Sequence, residues 1–163
     1  MTRALVVIDL QKGLHTPEKP LFELAEVLSG VNERIACYRE AKMPIIFIQH
    51  HEEELPLHSA EWALMDELDV RYGDYFVSKT HANSFYQTEL AGLLEKLEVG
   101  EMEFCGAQTE YCVDTTIRMA HGLGYRSFMK KGLHTTVDSA LLPAEIIRKH
   151  HEALWGGRFL MWL

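Results

Sequence analysis

Met102-Glu-Phe-Cys105-Gly106-Ala-Gln-Thr-Glu-Tyr-Cys112-Val-Asp-Thr-Thr116 reads as a strand, a tight turn and the start of a helix. The largely apolar run from Met102 to Cys105 is strand-sized and stops at Gly106. Val113, Ile117 and Ala120 then recur at spacings of four and three, one face of a helix. Thr109 stands just ahead of that pattern as a candidate N-cap, which puts Cys112 in the first helical turn. There the unpaired backbone N–H groups and the positive end of the helix dipole favour a thiolate over a thiol. A sulfur so placed is arranged as an activated nucleophile. The alternative is the fate of most free cysteines, a small buried hydrophobe.

Working outward, the same alternation repeats. Ala4 to Ile8 is a continuous apolar, β-branched run, as expected of a strand covered on both faces, and it ends at Asp9. A loop from Gly13 to Pro20 leads to Leu24, Leu28, Val31, Ile35 and Tyr38, an amphipathic helix with Cys37 off its apolar stripe. Met43-Pro44 stops that helix, and Ile45 to Ile48 form a second strand ending in Gln49-His50-His51. The acidic segment from Glu52 to Asp74, which contains Trp62, is long for a connection and reads as a lid or binding loop. Tyr75 to Val77 is a short third strand that runs out at Ser78-Lys79.

Leu90, Leu93, Leu94 and Leu97 mark a helix stopped by Gly100, ahead of the fourth strand at Met102 to Cys105. Beyond the Cys112 helix, closed by Gly122 and Gly124, Tyr125 to Met129 is a fifth strand. Pro143 opens a last helix with Ile147, His151 and Leu154 inward, and Arg158 to Leu163 is a sixth strand. Strands alternating with helices predict a three-layer α/β/α sandwich around a six-stranded, mostly parallel sheet, a Rossmann-like arrangement in one domain over 1–163. Ligands of such sheets bind beyond the carboxyl ends of the strands. Asp9, Lys79 and Cys112 all stand just past strand ends, so the fold brings them to one edge.

Composition narrows the function. A net charge of −8 with no basic patch argues against a nucleic-acid partner. The apolar stretches are too short to span a bilayer, and the first strand begins too early to leave room for a signal peptide. Three cysteines, at 37, 105 and 112, have no disulfide-like spacing and suit a reducing, cytoplasmic setting. His150 and His151 are adjacent on a helix and point about 100° apart, so they do not share an ion; His151 is expected to be packed and hydrogen-bonded.

Asp9, Lys79 and Cys112 together supply a carboxylate to take a proton, a cation to hold and tune the pair, and a nucleophile. In these segments the chain resembles the isochorismatase-like cysteine hydrolase superfamily, which includes nicotinamidases and carbamoylsarcosine amidohydrolase. The resemblance runs through Val-Val-Ile-Asp9-Leu-Gln, Lys79 with Ser84-Phe85 and Thr88-Glu-Leu90, Cys105 to Thr116, and His134-Thr-Thr-Val-Asp138-Ser. It implies a triad of Asp9, Lys79 and Cys112, a cis peptide before Gln108, and an oxyanion hole made by the N–H groups of Gln108 and Cys112. It also implies a homo-oligomer, dimer or tetramer. Nicotinamidases carry an Asp-x-His metal motif after the second strand; here Gln49-His50-His51-Glu52 lacks the aspartate. No metal or other cofactor is therefore expected, although His58 stands near His50 and His51 in sequence. Lys131-Gly132 replaces an aspartate common in the family.

Isochorismatases proper cleave a vinyl ether without the cysteine, so Cys112 implies attack on a carbonyl-like carbon. The expected activity is hydrolysis of a small amide-type C–N bond through a thioester. Alternatives are a small ester or carbamoyl substrate, or a non-hydrolytic redox-sensing, ligand-sensing or scaffold member. Leu14, His50, Trp62, Phe85, Tyr111 and His134 flank the triad segments and are the candidate substrate-binding residues.

Overall fold

The computed structural model describes residues 2–163. Seven strands, all paired in parallel, form one sheet: β1 (Thr2–Ile8), β2 (Ile45–His50), β3 (Tyr75–Lys79), β4 (Val99–Ala107), β5 (Arg126–Met129), β6 (His134–Thr135) and β7 (Met161–Trp162). Four helices complete the layers: α1 (Leu24–Glu40), α2 (Leu90–Lys96), α3 (Asp114–Gly122) and α4 (Ala144–Trp155). The strand order is β3-β2-β1-β4-β5-β7, with β6 paired to the carboxyl end of β4.

The β1 sequence shows why the sheet lies in the middle. Ala4, Val6 and Ile8 join the core that α2, α3 and α4 contribute to through Leu90, Leu94, Ile117, Ala120 and Trp155. Leu5 and Val7, pointing the other way, pack in the core shared with Val27, Leu28, Val31 and Ile35 of α1. All five of these β1 side chains are fully buried, each stabilising the fold by about 1.5–3 kcal/mol for the larger ones. The one acid inside this core, Glu103 on β4, is satisfied by Arg34 Nε at 2.6 Å, Arg34 Nη2 at 2.9 Å and the Tyr38 hydroxyl at 2.9 Å.

Three details differ from the expectation. The sheet has a seventh strand, β6, whose two residues are too few to leave a periodic signal. The last strand is only Met161–Trp162, because the N–H groups of Arg158, Phe159 and Leu160 all turn back onto the Trp155 carbonyl. The long connection after β2 has no helix of its own but is tied to α1: Arg39 meets Asp69 and Asp74, and the Asn32 side chain donates to the Glu67 carbonyl at 2.7 Å and accepts from the Asp69 N–H at 2.9 Å.

The order in which strands are added reverses between β1 and β4, with β2 and β3 laid down on one side and β5 and β7 on the other. That switch point opens a crevice beyond the strand ends. Gly106 makes it possible. It pairs with Ile8 at φ 128°, and a Cβ there would lie 2.0 Å from the Ile8 carbonyl oxygen.

Candidate active site

Asp9 leaves β1 with a left-handed φ of 48°, which aspartate tolerates better than most residues, and its N–H donates to the Ile48 carbonyl at 3.0 Å. Lys79 is the last residue of β3, and its carbonyl accepts from the His51 N–H at 2.9 Å. Both side chains are buried. Lys79 Nζ lies 2.7 Å from Asp9 Oδ2 and donates to Cys112 Sγ at 3.2 Å. A carboxylate, an ammonium and a sulfur from three separate elements thus meet at the carboxyl edge of the sheet.

The turn carrying the sulfur differs from the expectation. Thr109–Val113 is a π-helical turn in which the Val113 N–H reaches the Gln108 carbonyl at 3.2 Å; α3 begins only at Asp114. Thr109 is not an N-cap. Its Oγ1 instead lies 2.9 Å from His134 Nδ1, and His134 Nε2 lies 3.2 Å from Glu152 Oε1. Glu152 is held below the usual carboxylate range by its bond to His134, with burial opposing, so it stays ionised and accepts the Nε2–H. His134 Nδ1 is then the acceptor for the Thr109 hydroxyl. The turn is fixed at its other end by Trp155 Nε1, which donates to Asp114 Oδ1 at 2.7 Å. The Ala107–Gln108 peptide is cis.

The electrostatics correct a second expectation. Burial, then the Asp9 carboxylate, push the Cys112 thiol up from 9.0 to about 12, against the lowering effect of Lys79. Enclosure and the carboxylate thus work against the thiolate that its place before a helix suggests. Burial disfavours the charge on Lys79, but Asp9 and Cys112 outweigh it and raise the ammonium above its ordinary value.

The candidate binding residues separate into three groups. His50 belongs to the site, with Nδ1 3.1 Å from Lys79 Nζ. Leu14 sits half-buried in a short turn (Lys12–Leu14) against the α1-side core, and Tyr111 is exposed on the nucleophile turn. Trp62 lines a neighbouring cavity of about 650 Å³ together with Leu57, His58, Val70 and Phe76, none of them a triad residue. Phe85 and His134 are both buried. Phe85 is buried and stacked on Tyr125 with centroids 5.9 Å apart, a core contact rather than a ligand contact. His134 is fully buried, with Nδ1 on Thr109 and Nε2 on Glu152.

His58 packs edge-on against Trp62, and among the described residues no three His, Cys, Asp or Glu side chains are grouped to hold a metal. His151 is bonded to the Ile147 carbonyl at 2.8 Å, as its place on the apolar face suggests. At Lys131-Gly132 the carboxylate comes from elsewhere: Glu152 of α4 accepts the Gly132 N–H at 3.0 Å. The sequence reading passed over Gln11, which is completely buried and braces the end of β2. Its Nε2 donates to the carbonyls of His50 (2.9 Å) and Trp62 (2.8 Å), and its Oε1 accepts the His50 N–H (2.8 Å). A glutamine two residues after the β1 aspartate is the only signal for it.

The isochorismatase domain profile matches residues 3–142. The chain belongs to the isochorismatase domain family. A crystal structure of another isochorismatase family protein is 53% identical, covers 99% of this chain and 97% of its own, and superimposes with a TM-score of 0.98. Among curated members of the family, a streptothricin hydrolase of Streptomyces noursei is 29% identical over 86% of this chain; the chain spans only 52% of that protein's length. Nicotinamidase 3 of Arabidopsis thaliana is 28% identical over 88% of this chain and 78% of its own. None of the four helices is long and apolar enough to cross a membrane.

Proposed function

We propose that this chain is a cysteine hydrolase that cleaves a small amide-type C–N bond with Asp9, Lys79 and Cys112. The observation that carries the reading is the Lys79 ammonium held 2.7 Å from the Asp9 carboxylate and 3.2 Å from Cys112 Sγ in a buried site at the switch point of the sheet. The hydrolytic names of the streptothricin hydrolase and nicotinamidase relatives support it.

Asp9 takes the thiol proton as Cys112 Sγ attacks the carbonyl carbon, and the oxyanion is received by the N–H groups of Gln108 and Cys112. The intermediate collapses, the C–N bond breaks, and Asp9 returns the proton to the departing nitrogen. The acyl group is left as a Cys112 thioester. A water then loses a proton to Asp9, attacks the thioester, and expels the sulfur, which regains that proton. Lys79 stays cationic throughout and stabilises whichever neighbour is negative. The test is an amide panel scored for ammonia release. Cys112→Ala should abolish turnover and the acyl-enzyme mass seen on rapid quench. Turnover by Cys112→Ala near the wild-type rate would sink the mechanism.

A further inference from the structure

A lysine ammonium has three N–H bonds, and Lys79 has three neighbours within reach: the Asp9 carboxylate in ion-pair contact at 2.7 Å, Cys112 Sγ at 3.2 Å and His50 Nδ1 at 3.1 Å. The chemistry above uses the first two and leaves the third unexplained. Resting on the cysteine-hydrolase reading, we propose that His50 is a positioning residue whose neutral ring, with Nδ1 bare, pins the Lys79 ammonium between the carboxylate and the sulfur.

Lysine is a point charge on a flexible stem. With only a carboxylate and a thiol to choose from, its ammonium is drawn to the carboxylate, the stronger acceptor. A third acceptor fixes the remaining N–H and with it the direction of the other two. His50 is suited to this because its own backbone is clamped at both N–H and C=O by the buried Gln11 amide. The groups facing the ring are Lys79 from β3, Asp9 from β1 and Glu52 from the segment after β2, whose Oε2 lies 3.5 Å from Nε2. Burial and Lys79 lower the ring's proton affinity, while Asp9 and Glu52 act the other way without prevailing. A protonated ring would turn an N–H toward an ammonium 3.1 Å away, so the neutral Nε2–H tautomer is the one that fits.

The test uses the full chain and needs no substrate. Long-range proton–nitrogen NMR of the imidazole rings, assigned with His50→Asn, should show His50 protonated only at Nε2. Its titration midpoint should lie below the ordinary 6.5 and move up in Lys79→Met. Iodoacetamide alkylation of Cys112 at about pH 8 should slow about tenfold in His50→Leu, the scale of one lost hydrogen bond to a charged group. His50→Asn, whose Oδ1 can stand where Nδ1 stood, should restore the rate to within about threefold of wild type. A proton on Nδ1, a His50→Leu variant that alkylates as wild type, or a folded His50→Asn as slow as His50→Leu would each overturn the inference. If any of these occurs while Lys79→Met still slows alkylation, the triad stands and only the role of His50 falls. If Lys79→Met alkylates as wild type, both fall.

Discussion

Replacing Asp9 with asparagine should make Cys112 more acidic and at the same time stop turnover. The side chains are nearly the same size, so the buried site keeps its shape and loses one negative charge. In the wild type, burial and then Asp9 push the thiol to about 12, and Lys79 at 3.2 Å from Sγ pulls the other way. With the carboxylate gone, only burial still opposes Lys79. A charge in contact shifts a titration by about 1–3 units, so losing the like charge of Asp9 should lower the alkylation midpoint of Cys112 by about that much. Each unit is about 1.4 kcal/mol of differential stabilisation of the thiolate.

Turnover should nevertheless drop by about 10²–10⁴, because nothing remains to take and return the proton. The assay is iodoacetamide labelling from about pH 5 to 11, read by peptide mass spectrometry, alongside ammonia release from the best amide found. Exposed Cys37 is the internal reference, and Cys105, pushed up by complete burial, is the unreactive one. A midpoint that stays put or rises in Asp9→Asn would refute the reasoning. It would mean that the resting pair is already thiolate and carboxylic acid, or that Asp9 does not face the sulfur.

Two further outcomes follow from the geometry. Gly106→Ala should lower stability by well over ~1 kcal/mol, seen as a drop in the denaturant midpoint, since its φ of 128° and a contact of 2.0 Å with Ile8 leave a methyl group no room. A variant as stable as wild type would mean that β1 and β4 are farther apart. His134 has a folded-state affinity for protons lowered by burial, with Glu152 opposing. Its contribution to stability is therefore fully present above the unfolded value of 6.5 and is lost as pH falls through the folded value. Stability between about pH 7 and 5 should fall less steeply in His134→Gln than in wild type, measured by denaturant titration at each pH. Equal slopes would show that the buried ring does not set this limb.

The resting state of Cys112 shows where reading from sequence runs out. Its position before a helix and the presence of a lysine elsewhere in the chain are legible, and both favour a thiolate. What opposes them, enclosure and a carboxylate from β1, depends on contacts between residues far apart in the chain. The π-helical turn is similar. The spacing of Val113, Ile117 and Ala120 locates the helix, and all three are fully buried. The turn before it is held by Thr109, His134 and Glu152, which no local pattern connects. Phe85 looked like a pocket residue because it is near Lys79 in sequence, yet its ring points into the core.

By itself, the sequence determined the alternation of strands and helices, the faces each buries, and the placing of Asp9, Lys79 and Cys112 at strand ends, because apolar periodicity is set residue by residue against solvent. The tertiary structure alone decided that the three meet, that His50 joins them, that β6 and Glu152 brace the Thr109–Val113 turn, and that the sulfur is enclosed beside a carboxylate. Each of these depends on distances of a few ångströms between separate elements, and on a burial that exists only once the sheet has closed around the site.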